Sequence, residues 1–483
     1  MNSKFAFLAA LVSATSAFAA LPSVGPEYAR PSVPTPPAFR DAPDAAAAWK
    51  IGAPNEAASR GEWWTLFADP ALDSLETRAL AANQDLRAAA ARVEQARAAA
   101  GLTRSEYWPQ VSLNPSIDRS RASGTVDNQL PQLVSTTDQV SLNAAWELDL
   151  FGRVRRLNQA ARADAEASAA LFESVRLSLA ADVAIGYFSL RALDREIAIV
   201  QETVELRQHE LELVKARWQG GTVAELDVAR AETELATVET ESASLATQRA
   251  AAQNALAVLL GTPAPEFALT TDSSADALPP AVPAGLPAGL LERRPDIAAA
   301  ERALAAANAR IGVAKAAFFP AISLTASAGY ASADMNNLFM TDSRSWSIGP
   351  SLYLPIFQGG RNQANLARSR AAYDESVATF RQRVLVAFSE VQDALTATRL
   401  LAVQSAAQDR ALVSARRAAS IAQTRYDAGY VTYFEVIDAQ RTVLSLEQAG
   451  AQLSAQRLNN SVKLIKALGG GWHPAPAVLA SIR

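Results

Sequence analysis

The chain contains no cysteine. That excludes disulfides, thiolate metal sites and cysteine nucleophiles. Histidine is nearly absent, with only His209 and His473, too few for a multi-histidine metal centre. Met occurs three times, which argues against a soft-metal specialist. There is no excess of positive charge: the net charge is −4, so no global field exists to hold nucleic acid. Beyond the first twenty residues no run of 18 apolar residues occurs, which excludes a helical inner-membrane protein. A closed β-barrel stays open as a route across a membrane. No GxSxG, HExxH or P-loop pattern is found. Gly469-Gly470-Gly471 lacks a preceding strand and a following Lys-Ser/Thr, and reads as a helix end. No catalytic, cofactor or metal site is expected, so the chain does not read as an enzyme.

What is present points to a helical protein with a large core. Hydrophobic residues make up 49% of the chain, and Ala, the best helix former, is its commonest residue. Lys4, the apolar run Phe5 to Val12 and the small-x-small triplet Ala17-Phe18-Ala19 read as a signal peptide over 1–19. Residues 20–69 are rich in Pro and Ala and read as an extended, wrapping arm. Residues 261–289 read as a Pro-rich linker, and 468–483 as a non-helical tail.

Between these pieces lie two similar halves, 70–260 and 290–467. ARVEQARAAAGLTRSEYWPQVSL (91–113) aligns without gaps with RALAAANARIGVAKAAFFPAISL (302–324). ELDLFGR (147–153) resembles YLPIFQGGR (353–361), and RWQGGTVAELDVARAE (217–232) matches RYDAGYVTYFEVIDAQ (425–440). Three matches in the same order indicate an internal two-fold repeat. Each half has a helix, at about 70–107 and 292–317, then two alternating segments, then a long helical hairpin.

The alternating segments carry a strand signal, near 110–119, 138–150, 320–332 and 345–356. About ten residues suits a tilted transmembrane strand, although a soluble sheet with one wet face has the same period. Four strands are too few to close a membrane barrel, so several chains must contribute if they cross one. The helices are long. From Arg153 to Gln219 there is no Pro and one Gly, and from Arg361 to Ala428 neither occurs. At 1.5 Å per residue each spans about 100 Å, against a mean globular helix of about 11–12 residues.

Gly220-Gly221 with Thr222 and Val223, and Gly429 with Tyr430 and Val431, join the long helices. They are either plain connectors or docking tips for a partner. Beyond the second tip, Phe434, Asp438 and Arg441 fall at i, i+4 and i+7 on one helix face. That face is a solvated surface or, around a symmetry axis, a pore constriction. The matching positions in the first half are Leu226, Arg230 and Thr233.

Five segments resemble one known family. VGPEYARP (24–31), LLERRPDIAAAERALAAANARIG (290–312), AAFFPAISLTASAGY (316–330), PSLYLPIFQGGR (350–361) and VIDAQRTVL (436–444) with KALGGGW (466–472) are similar to outer-membrane efflux proteins of the OprM/NodT type, in the TolC superfamily. The resemblance implies a mainly α fold with a β-barrel part. In a homotrimer, four strands per chain close a twelve-stranded barrel over a long periplasmic α-barrel. It implies the passive exit duct of a tripartite pump in the outer membrane of a Gram-negative bacterium. A periplasmic adaptor and an inner-membrane transporter of the RND class are the implied partners. Carried over by position, Phe434, Asp438 and Arg441 line the periplasmic gate, and the tips at Gly220–Ala224 and Gly429–Thr432 meet the adaptor. Relatives carry a lipid-bearing Cys where this chain has Pro22, so the barrel rather than a lipid is expected to hold it. The remaining alternatives are a duct for secreted proteins or metal ions, and a soluble periplasmic coiled-coil scaffold or adaptor.

Overall fold

The computed structural model describes residues 23–40, 61–125, 134–272, 279–280 and 293–470. The expected signal peptide, much of the linker and nearly all of the tail lie outside the described residues. The chain divides into two compact units, the first Met1–Ser32, Arg92–Ala169 and Ala299–Arg381, the second Val33–Ala91, Ala170–Ala298 and Gln382–Arg483.

The helices are α1 (Pro70–Ala82), α2 (Gln84–Ser105), α3 (Arg153–Gln219), α4 (Glu225–Leu259), α5 (Pro295–Ala316), α6 (Arg361–Asp427) and α7 (Tyr433–Ala467). The strands are β1 (Gln110–Arg121), β2 (Val134–Leu148), β3 (Ala321–Ser332) and β4 (Arg344–Tyr353). α3 and α6 both have 67 residues, and α4 and α7 both have 35.

The first unit contains the sheet, antiparallel throughout in the order β1-β2-β3-β4. β2 begins at Val134, before the expected 138. β4 stops at Tyr353, before the expected 356, because Pro355 has no N–H to continue the ladder. The Asp149 carboxylate accepts from the Val154 and Arg155 N–H groups at 3.1 and 2.8 Å and so caps the start of α3. Arg153 forks onto Glu147 and Glu106 at 2.8 and 2.9 Å, fixing the end of β2 to the helices. The described arm, residues 23–32, forms neither helix nor strand and bends at Val24-Gly25. Its Gly25 takes φ of 115°, and a Cβ there would stand 2.5 Å from Gly312 Cα, so only glycine fits. Tyr28 then donates to Glu301 at 2.5 Å.

The second unit contains the larger apolar core. Trp63, Trp64 and Phe67 bury against Leu72, Leu177, Val183, Phe188, Leu256 and Ile465. Here the arm departs from expectation: Trp63–Phe67 is a short 3-10 turn, not extended chain, because three aromatics at this spacing bury together only when coiled. The expected helix over 70–107 is also broken, at Asn83. Its backbone is extended, its Nδ2 donates to Leu259 O at 2.9 Å, and its Oδ1 accepts from Leu86 N–H at 2.9 Å, capping α2. The start of the linker is packed rather than loose. Arg249, Arg191 and Gln253 hold the carbonyls of Leu269, Thr270 and Phe267, and Asp194, buried, takes both guanidinium groups.

Candidate functional site

Two surfaces can carry function, one in each unit. In the first, strand pairing sorts the side chains onto two faces. Opposed residues in an antiparallel ladder point the same way. Val111 and Leu113 therefore share a face with Ala144 and Leu142, Val140 with Tyr330, and Trp146 with Leu324. The same face continues through Ala328 with Trp346, Ala326 with Ile348 and Ile322 with Leu352. The opposite face pairs Ser112 with Asn143, Asn114 with Ser141, Ser327 with Ser347 and Ser323 with Ser351.

The apolar face is uncovered: Leu113 is 64%, Ile117 69% and Trp346 78% exposed. A soluble sheet with one wet face exposes its polar side and buries the other. In this sheet both faces of the edge strands β1 and β4 are open, and the apolar face is not buried. Aromatics mark both of its ends, Trp108 and Trp146 beside the helices and Tyr330, Phe339 and Trp346 at the far end, as in a lipid-facing strand band.

The second surface is the pair of helix reversals in the second unit. In the first, Gly221 at φ 71° lets Thr222 N–H reach Arg217 O at 3.0 Å while its own N–H reaches Trp218 O at 2.9 Å. In the second, Gly429 at φ 79° lets Tyr430 N–H reach Arg425 O at 2.9 Å, and its N–H reaches Tyr426 O at 2.9 Å. Both are Schellman caps, in which the last free carbonyls are satisfied only if one residue is left-handed. Arg217 ties the two reversals together, 3.7 Å from Asp427 and over the Tyr426 ring. Behind them Val214, Val228, Ala231, Tyr433, Val436 and Ile437 form a small core. Gly220, Gly221, Thr222 and Tyr430 are exposed, and Val223 and Val431 are half-buried.

Phe434, Asp438 and Arg441 lie together on the exposed face of α7. Arg230 sits over the Phe434 ring at 5.6 Å. Arg441 Nε donates to Glu234 Oε2 at 2.9 Å, and a terminal nitrogen takes the other oxygen. One layer deeper, buried Arg207 binds Glu210 at 2.8 Å and also Gln440, while Gln440 Nε2 donates to Glu210 at 2.6 Å. Tyr433 donates to Glu210 at 3.2 Å, and burial, reinforced by that carboxylate, pushes its hydroxyl well above the usual tyrosine range. Sequence reasoning missed Glu234, Arg207, Glu210 and Gln440. The signal for Arg207 and Glu234 is a charge standing in the buried stripe of its helix.

The RRPDI segment has a structural task. Arg294, buried, makes twin bonds to Asp296 at 2.8 and 3.0 Å, binds Glu390 at 2.5 Å and holds Ala467 O at the end of α7 at 3.0 Å. Burial pushes Asp296 up, but the hydrogen bonds and charge of Arg294 outweigh it and hold the carboxyl below its ordinary value.

Known proteins resemble this chain along most of its length. The family model "Outer membrane efflux protein" matches residues 75–262 and 286–470. The solvent efflux pump outer membrane protein SrpC of Pseudomonas putida is 38% identical over 406 residues, 84% of this chain and 86% of that protein. The cation efflux system protein CusC of Escherichia coli (strain K12) is 35% identical over 454 residues, 93% of this chain and 96% of that one. The solved open state of the Neisseria gonorrhoeae MtrE outer membrane channel superposes with a TM-score of 0.80 at 31% identity, covering 93% of this chain and 98% of that one. The chain belongs to the outer membrane efflux protein family, a group of TolC-superfamily channels that serve efflux pumps.

Proposed function

We propose that three copies of this chain form the outer-membrane exit duct of a tripartite efflux pump, closing one twelve-stranded barrel from four strands each. One observation carries the reading: an open four-stranded sheet with an uncovered apolar face and a second face lined with Ser and Asn. Four strands cannot close alone, whereas twelve can, with the apolar face toward lipid and the hydroxyl-rich face toward a wet lumen. The equal lengths of α3 and α6, and of α4 and α7, support an internal duplication, so three chains would supply six similar hairpins to the periplasmic α-barrel. With no cysteine to carry a lipid, the barrel itself would hold the protein in the outer membrane.

The duct is passive. Solutes move through it when partners open it. The reversals at Gly220–Val223 and Gly429–Val431 dock a periplasmic adaptor, which bridges to an inner-membrane transporter of the RND class. Around the three-fold axis, Phe434, Asp438 and Arg441 form rings that constrict the periplasmic mouth. Solvent and cation efflux are functions of the relatives; drugs or other small molecules are the cargo class assigned here.

The test is the native mass of the mature protein after detergent extraction of outer membranes. Three chains per particle is the expected result. A monomer released by salt washing alone would overturn the channel reading and leave a periplasmic scaffold.

A further inference from the structure

We propose that each chain holds one zwitterionic phospholipid, by a phosphodiester headgroup bearing a primary ammonium, in a cleft where α2 runs into β1 and β2 runs into α3. The site rests on the outer-membrane reading above and gives the barrel a preferred lipid at its helical end.

The cleft lies wholly within the first unit and has a volume of about 470 Å³. Arg104, Glu106, Tyr107 and Trp108 form one wall, Trp146 and Arg155 the other. Its charges are unevenly matched. Arg155 is bound to Asp149, with Nε 3.2 Å from the carboxylate. Arg153 serves two carboxylates, Glu147 by two bonds and Glu106 by one at 2.9 Å. One guanidinium therefore faces two carboxylates, and Glu106 stays 39% exposed. Arg104 is the reverse case: it is exposed, and among the described residues its guanidinium has no hydrogen bond or ion pair. One positive and one negative charge are thus left over. A phosphodiester with an ammonium complements both, whereas an anionic headgroup meets Arg104 but also the excess carboxylate. A primary ammonium can donate to Glu106; a quaternary one has no N–H to give. The aromatics suit the same ligand. Trp146 Nε1 already donates to Tyr107 O at 3.0 Å, so its indole offers a ligand only the ring, and Trp108 is 60% exposed. Indole rings attract ammonium groups and favour the level of lipid headgroups.

The neighbouring sheet identifies the ligand as a lipid. Trp146, Ala144 and Leu142 follow one another on one face of β2, and Val111 and Leu113 stand opposite the last two on β1. Val111, Leu113 and Leu142 are exposed. Acyl chains lie on that apolar face while the headgroup stays in the cleft at its end. The internal repeat does not build a second cleft. Arg104 recurs as Lys315, but Glu106 is replaced by Ala317. Trp146 stands as far before Arg153 as Leu354 stands before Arg361, the first residues of α3 and α6, so its counterpart is aliphatic. Trp108 is replaced by Phe319, whose ring is stacked on Phe151 at 4.9 Å. The second half keeps the cation without the carboxylate or the indoles, so the site occurs once per chain.

The test uses the full-length protein in detergent, stripped of its own lipid, with native mass and bound lipid read together. Dioleoyl phosphatidylethanolamine, phosphatidylcholine and phosphatidylglycerol are added separately. The expected result is one phosphatidylethanolamine per chain, held about fivefold more tightly than either other lipid, the worth of about one exposed ion pair. R104Q should weaken all three lipids by about the same factor, since each carries the phosphate. E106Q should abolish the preference for phosphatidylethanolamine, and K315Q, at the matching place in the second half, should behave as wild type. Glycerophosphoethanolamine, the same headgroup without chains, should displace none. Equal retention of the three lipids, or a wild-type pattern in R104Q and E106Q, overturns the site. Displacement by the chain-free headgroup overturns the lipid and leaves a soluble zwitterion as the ligand. A one-chain mass with the preference intact overturns the trimeric reading and upholds the site.

Discussion

Arg441 clasps Glu234, its Nε 2.9 Å from one carboxylate oxygen and a terminal nitrogen on the other, so α7 is held to α4 within one chain. Glu234 is nearly buried while Arg441 is 55% exposed, so the pair is only partly desolvated. Exposed pairs contribute about 1 kcal/mol or less, and this one stands near the top of that range. If closure of the periplasmic mouth uses the clasp, R441A or E234Q shifts the closed–open balance by about 1 kcal/mol, roughly fivefold. Conductance of the purified protein in planar bilayers should show that increase in open probability. The double variant should add little to either single one, because both remove the same contact. Unchanged conductance in all three would detach the clasp from the gate.

Glu76 gives a second prediction, in pH. It is fully buried on α1, both carboxylate oxygens lack partners, and burial, helped by the charge of Asp73, pushes it up to about 9. In the unfolded chain it ionises near 4.5. Between those values the folded state holds a proton the unfolded state has lost. Stability therefore falls as pH rises through this window, by up to about 1.4 kcal/mol per pH unit. Thermal unfolding of the detergent-extracted protein from pH 5 to 9 should show the decline, and E76Q should flatten it. A Glu76 variant with the wild-type slope would show that the carboxylate finds water or a partner on ionising.

The reversals predict a smaller, local effect. Gly221 and Gly429 both need positive φ, and a Cβ at either meets nothing within 4 Å. The cost of G221A or G429A is thus backbone strain alone, about 1–2 kcal/mol. Hydrogen exchange should speed up in the last turns of α3 and α6, and the sheet should be unaffected. If the tips dock the adaptor, each substitution also weakens adaptor binding.

Much of this was legible in the sequence for physical reasons. A period of two marks β1 to β4 because alternate residues fall on an apolar and a polar face of one sheet. Sixty-seven residues almost free of Pro and Gly leave α3 and α6 little choice but helix. The glycine reversals show because φ above zero nearly requires Gly. Asn83 did not show, since its break depends on Leu259, far along the chain. The buried coil at Trp63–Phe67 was hidden by the Pro- and Ala-rich stretch around it. Glu234 shows in the sequence only as a charge in the buried stripe of α4; its partner Arg441 lies on another helix, and no local pattern announces a contact that only folding creates.

Arg294 supplies the last prediction. Its guanidinium satisfies Asp296 twice, meets Glu390 and terminates α7 at Ala467 O. Lysine keeps the charge but cannot make the fork, so R294K leaves Asp296 and a helix end underbonded. The expected loss is about 3 kcal/mol at neutral pH, the low end for breaking a buried pair. Asp296 makes the assignment checkable. Its carboxyl is held below the ordinary 3.8, so it contributes stability above that pH and loses it as pH falls through the lower folded value. The wild-type protein should therefore lose more melting temperature than R294K between pH 5 and pH 2. If both lose it in parallel, Arg294 acts by capping α7 rather than through Asp296.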